Sequence, residues 1–312
     1  MTPRFFLGLL VLAALAIPAT PAAGATVIMD GALDATYGPP LSVQTTQADV
    51  WGSSNLGLID FANGSELDLA FGIVADGALH LFFAGNLMAY LNPVEAGTIH
   101  DALVLFVDSK PGGQNQLRAD NPNVGLGYLR AMAGLTFDLG FDPDYSLSFN
   151  GYGGPGYAPY ILVASSVETP TGGGGAGYYL GQGLAGGPGT LTGGTNPYGV
   201  LVTINNSNTA GVGTGCAAAS GSGVTTGIEW SIPLAAIGNP TGCIKVCALV
   251  TNGSYDHLPN QVLGPLPPGT CHPGAVWTVN FASIPGSQYF TVCSAPVPAP
   301  TSSWGALKTI YR

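Results

Sequence analysis

Five apolar residues, Leu103-Val-Leu-Phe-Val107, run without a break to Asp108. Ser-Lys-Pro-Gly-Gly-Gln-Asn-Gln116 follows as a turn-rich segment. A run this short is below helix length, and it has no polar side. Bounded by turn residues, it reads as a strand buried on both faces, with a loop at its carboxyl end. Other strands must then cover both faces, and the chain is organised around that requirement.

The flanking sequence supplies such strands. Leu67 to Val74 and Leu79 to Ala84 alternate on either side of Ala75-Asp76-Gly77, a hairpin signal. Further strands are expected at Thr26–Met29, Leu41–Gln47, Leu135–Phe141, Tyr145–Phe149, Tyr160–Val167, Val200–Asn205, Gly227–Leu234, Cys243–Thr251, Val276–Phe281 and Tyr289–Cys293. Leu33 and Tyr37 suggest one short helical turn. Ile228, Trp230 and Ile232 share a face, so Trp230 is expected in the core, while the side taken by Trp277 is left open. His80, between two leucines, reads as a packed residue. No long segment has a 3.6-residue period. The expected fold is all-β, an antiparallel β-sandwich of jelly-roll type with long glycine-rich loops.

Composition agrees with that architecture. The 312 residues include 48 Gly and 25 Pro, yet 46% are hydrophobic, which favours a packed chain over disorder. The Gly-rich stretch Tyr152–Gly199 reads as surface loop or as weak strands of small residues.

Residues 1–25 carry Arg4, an apolar run from Phe5 to Ile17 and the small-residue site Ala23-Gly24-Ala25, the pattern of a signal peptide. The mature chain is expected to begin near Thr26. One domain then spans 26–294, and 295–312 forms a Pro-rich link and a tail with Trp304, Leu307 and Ile310 at i, i+3, i+6, read as a frayed terminus or, alternatively, as a sorting or docking peptide. No later stretch is apolar enough to form a membrane helix.

Without Arg4, six basic residues face 17 acidic ones, and no Lys or Arg lies between Ala131 and Ile244. That excludes a basic footprint for nucleic acid or for an anionic membrane surface. The five cysteines, Cys216, Cys243, Cys247, Cys271 and Cys293, suit an oxidising compartment, and their odd number leaves one thiol over. Cys243 and Cys247 lie about 13 Å apart along one strand, too far to bridge each other.

No G-x-S-x-G elbow and no H-E-x-x-H motif occurs, so no catalyst is expected. Asp142-Pro-Asp144-Tyr-Ser146 begins like a calcium loop, with Asp138 just before it and Asp108 closing the central strand. Its sixth position is Leu147, where an EF-hand has Gly. Trp51, in a polar loop, is the candidate sugar-stacking residue, and Tyr152, Tyr157 and Tyr160 are candidates for the same rim.

Asp30-Gly-Ala-Leu-Asp-Ala-Thr-Tyr-Gly38 resembles the opening of carbohydrate-binding module family 9 and of related DOMON-type sandwiches. Gly227-Ile-Glu-Trp-Ser-Ile-Pro-Leu-Ala-Ala-Ile-Gly238 is similar to their late strand. The domain also resembles uncharacterised glycine-rich exported bacterial proteins through Phe106–Asn115, Leu135–Asp138 and Asn260–Leu263. The first resemblance implies a sugar held between aromatics and structural Ca²⁺. Four Met residues give no basis for the haem of some DOMON relatives. The expectation is therefore a secreted, non-catalytic β-sandwich whose partner is an extracellular carbohydrate. The alternative is a structural surface, matrix or filament protein that packs against copies of itself.

Overall fold

Leu103, Leu105 and Val107 face one side of the central strand, Ala102, Val104 and Phe106 face the other, and all six are fully buried. The computed structural model describes residues 26–48, 65–87, 101–125, 128–154, 157–208, 210–213 and 215–294, with the side chains of 152–161 outside the description. The expected signal peptide, Trp51 and the tail lie outside the described residues.

In chain order the strands are β1 (Ser42–Val43), β2 (Glu66–Ala75), β3 (Ala78–Asn86), β4 (Asp101–Asp108) and β5 (Tyr145–Gly154). They continue as β6 (Tyr157–Glu168), β7 (Gly177–Leu184), β8 (Thr192–Gly193), β9 (Leu201–Ile204) and β10 (Gly227–Pro233). The last are β11 (Ile244–Asn252), β12 (His257–Leu258), β13 (Val262–Leu263), β14 (Gly274–Ala275) and β15 (Phe290–Val292). A single α-helical turn, α1 (Tyr128–Ala131), sits in the connection between β4 and β5.

A five-stranded sheet has the order β1-β2-β3-β10-β9. The larger sheet runs β13-β11-β4-β5-β6-β7-β8, with β15 also on β11, and β12 and β14 pair separately. Every strand pair is antiparallel. The fold is the expected all-β sandwich.

The two sheets bury a shared core. Leu67, Leu81, Phe83, Ile228, Trp230 and Ile232 from the smaller sheet meet Leu105, Val107, Leu147, Phe149, Val246 and Ala248 from the larger. Trp230 is completely buried and meets Phe149 edge-on, with ring centroids 6.2 Å apart. The hairpin between β2 and β3 turns on Asp76 and Gly77, both at positive φ (49° and 77°), the conformation of a two-residue type I′ turn.

The outer faces are covered too, and here the sequence reading needs correction. Leu135–Phe141 is not a strand. It crosses the outer face of the larger sheet and buries Leu135, Phe137 and Phe141 against Phe106 and Leu249, paired only at isolated bridges through Thr136. Val276–Phe281 is not a strand either: a 3₁₀ turn covers Val276–Thr278 and a second, Phe281–Ser283, begins at its end. Its buried Val276 and Val279 lie three residues apart, the repeat of a 3₁₀ helix and not of a strand. Thr26–Met29 forms no strand, and the N-terminal segment meets the smaller sheet through a bridge between Ala32 and Thr226. Leu41–Gln47 shortens to β1 plus a bridge at Thr46. The helical turn expected near Leu33 and Tyr37 is the 3₁₀ turn Ala35–Tyr37, which places Tyr37 on Phe71 and Phe82. Part of the glycine-rich region is indeed strand, as the end of β5 together with β6, β7 and β8.

Candidate functional site

Three places gather polar chemistry. The first lies where the central strand ends. Asp108, Ser109, Lys110, Asp142 and Lys245 line an open polar pocket of about 330 Å³. Its floor is built by the turn after β4. Asp144, buried beneath, accepts the backbone N–H groups of Ser109 (3.0 Å) and Lys110 (2.9 Å) through Oδ2. Burial raises its carboxyl above the ordinary range, and its Oδ1 has no hydrogen-bond partner. Asn115 Nδ2 reaches the carbonyls of Asp138 (2.9 Å) and Phe141 (3.1 Å), which ties the two loops together.

The two lysines of this pocket are already engaged. Lys110 Nζ donates to the Tyr145 hydroxyl at 2.8 Å and lies 4.6 Å from the ring centroid. Lys245 Nζ pairs with Asp108 at 3.1 Å and donates to the Gly140 carbonyl.

Of the four aspartates read as calcium ligands, Asp108 and Asp142 therefore share the pocket with Asp144 below. Asp138 instead accepts the Gln288 N–H at 2.6 Å. Among the described residues, no group of three His, Cys, Asp or Glu side chains is placed to hold a metal ion. The candidate tyrosines are distant from these aspartates. Tyr152 pairs with Ile161 and Tyr157 with Gly154 near the far end of β5, about 23 Å along the strand from Tyr145.

The second place is one the sequence left undecided. Trp277 is 51% exposed, while its neighbour Val276 is fully buried. Its backbone abuts Gly134, where an added Cβ would lie 3.3 Å from Trp277 Cα. Gly134 borders a shallow depression of about 490 Å³ shared with Gln116, Arg118 and Asp120. Arg118 and Asp120 form a two-bond ion pair, Nε to Oδ1 at 2.9 Å and Nη2 to Oδ2 at 2.7 Å. Gln116 donates to Thr136 Oγ1 at 3.0 Å. Trp277 thus abuts Gly134, one lining residue of a depression that also carries a fork of polar groups. The signal was the spacing of the two flanking valines, which turns residue 277 outward.

The third place is the outer face of the smaller sheet, where three carboxylates are fully buried: Glu66, Asp68 and Glu229. None was singled out from the sequence. Glu229 accepts the N–H groups of Asp30 (3.0 Å) and Gly31 (3.1 Å) and the Tyr37 hydroxyl (2.9 Å). Glu66 and Asp68 share a face by the two-residue alternation of a strand, and the β2–β3 register shifts just after them, between Leu67 and Leu69, which leaves Asp68 as the extra residue of a β-bulge. Burial and the adjacent Glu66 push the Asp68 carboxyl up to about 9. Asn208, Gly211, Val212, Gly213 and Gly221 close over the pair. Gly211 is held at φ +131°, and an added Cβ there would overlap the Asp68 carboxylate.

Two disulfides, Cys216–Cys271 and Cys243–Cys293, staple the last third of the chain. Cys247 is the leftover thiol; burial raises its pKa well above the ordinary value. No helix among the described residues is long and apolar enough to cross a membrane. Comparison with protein-family models, with curated proteins and with solved structures found no match.

Proposed function

We propose that this chain is a secreted, non-catalytic binding domain whose ligand is an extracellular carbohydrate, taken up in the depression beside Trp277. The observation that carries this reading is the half-exposed Trp277 packed against Gly134, which lines one depression together with Gln116 and the Arg118–Asp120 pair. A sugar ring presents a C–H face that stacks on an indole and hydroxyls that bond to fixed polar groups. Asp120 cancels the Arg118 charge, which suits a neutral sugar. The disulfides and the leader-like first 25 residues support an extracellular setting.

The test is depletion of the purified chain, residues 26–312, by a panel of insoluble neutral polysaccharides. Retention on one polymer, competed by its soluble fragments and reduced at least fivefold by Trp277→Ala, is the expected result. Equal retention of Trp277→Ala, or no retention on any polymer, overturns the reading and turns attention to self-association.

A further inference from the structure

We propose that Glu66, Asp68, Asn208 and the carbonyl of Ala210 form a site for a divalent cation of calcium's size, on the outer face of the smaller sheet. The site is separate from the Trp277 depression and stands or falls independently of it.

The argument starts from hydrogen-bond supply. Glu66 and Asp68 are 1% and 0% exposed. Asn208 Nδ2 is contacted by three acceptors at once: Glu66 Oε1 at 2.9 Å, Asp68 Oδ2 at 3.4 Å and Ala210 O at 2.5 Å. An amide nitrogen carries two hydrogens, so three acceptors converge where only two can be served. The remaining carboxylate oxygens lean on backbone N–H groups, Asp68 Oδ1 on Val212 (3.0 Å) and Glu66 Oε2 on Gly213 (3.3 Å). Buried charge of one sign is stable when paired or when it holds a metal.

A second observation comes from the neighbouring strand. Asn86 lies directly opposite Glu66 in the β2–β3 register and therefore on the same face. It is 1% exposed, and its Oδ1 accepts the Glu66 N–H at 3.1 Å. Its Nδ2 has no hydrogen-bond partner. A buried donor left open on the face that carries both carboxylates fits an oxygen in the shell of a bound ion, such as a coordinated water.

Asn208 Oδ1 now accepts the Ala210 N–H at 3.2 Å; giving up that bond and turning the amide over would bring Oδ1 towards the point where the other three oxygens meet. The set is then two carboxylates, an amide and a carbonyl, all hard oxygens. Two protein segments supply them, one strand and one loop. That mixture suits Ca²⁺, which tolerates irregular oxygen shells, better than Mg²⁺, which demands a near-ideal octahedron.

The experiment uses the chain 26–312 stripped with a chelator and desalted, with CaCl₂ and MgCl₂ as probes at matched ionic strength. Binding heat and thermal unfolding are recorded for the wild type and for Asp68→Asn, Asn208→Ala and Asp144→Asn. The expected result is one calcium site, with a Tm rise of about 5 °C or more at calcium a hundredfold above its dissociation constant. Asp68→Asn and Asn208→Ala lose that rise and Asp144→Asn keeps it. If Asp68→Asn fails to fold, Asn208→Ala decides. Absence of heat and of a Tm rise in the wild type overturns the proposal. So does a rise that survives Asn208→Ala, or one lost only in Asp144→Asn, which would move the ion to the end of β4.

Discussion

The Tyr37 hydroxyl donates a 2.9 Å hydrogen bond to Glu229 Oε1, joining residues 192 positions apart. With the N–H groups of Asp30 and Gly31 on the other oxygen, this clasp holds the N-terminal segment on the smaller sheet. Glu229→Ala strips three donors of their acceptor and is expected to cost about 3–5 kcal/mol in urea unfolding. Tyr37→Phe removes one donor and should cost about 1–2 kcal/mol. Equal stability of Glu229→Ala and wild type would show that the clasp contributes nothing.

The disulfides are expected to matter more than any one contact. Cys216 and Cys271 are 55 residues apart, and closing such a loop restricts the unfolded chain by about 4 kcal/mol. The double replacement Cys216→Ser with Cys271→Ser should lose stability on that scale. Thiol labelling checks the pairing. The native protein should take up no label, the denatured protein one at Cys247, and the denatured and reduced protein all five.

His80 gives the fold a sensitivity to acid. Its ring is buried on β3 between Ile73 of β2 and Ser231 of β10. Burial holds its pKa below the ordinary 6.5, against a hydrogen bond to Ala75 and the charge of Asp76, which both favour the imidazolium. A histidine with a depressed folded pKa supports the native state above its unfolded pKa, and that support is lost as the pH falls through the folded pKa. Stability should therefore decline from pH 7.5 to pH 5, and His80→Gln should flatten that limb of the curve. An unchanged pH profile in His80→Gln would assign the decline to other groups.

Gly211 tests how tightly the glycine-rich loop is fitted. Gly211→Ala meets both the strain of φ +131° and the Asp68 carboxylate, and should destabilise the protein by about 2 kcal/mol or more. Gly38→Ala also sits at positive φ, +73°, but has open space around it. It should cost about 1 kcal/mol. Comparable thermal shifts for the two would remove the role given to the loop contact.

The central strand was legible because its signal is local. An unbroken apolar run has one reading, and Leu103 to Val107 followed it. The hairpin at Asp76-Gly77 and the inward face of β10 were legible for the same reason. The errors all fall on segments that lie across the outer faces of the sheets. Leu135, Phe137 and Phe141 have the apolar spacing of a strand, yet no neighbouring strand offers its hydrogen bonds there. Glu66 and Asp68 share a face by simple alternation, but their burial depends on Asn208, Val212 and Gly213, some 140 residues away, which leave no mark in the local pattern. Trp51 and the tail are outside the described residues, and the tyrosines of β5 and β6 are placed only through their backbone. The two stretches that resemble a carbohydrate-binding module were read separately, one at each end of the domain. That they meet through Glu229 is a fact of the fold.

The strand order has a consequence for how the chain acquires its shape. β10 lies between β3 and β9, and β11 lies beside the central strand, so both sheets wait for residues beyond 226. Both disulfides wait as well, since the first cysteine is Cys216. A growing chain of 220 residues holds β1 to β3 of one sheet and β4 to β8 of the other, and each has an open face. Neither sheet is complete until the residues after 226 arrive. Late-made β10 and β11 are thus the keystones, one joining β3 to β9 and the other flanking the central strand.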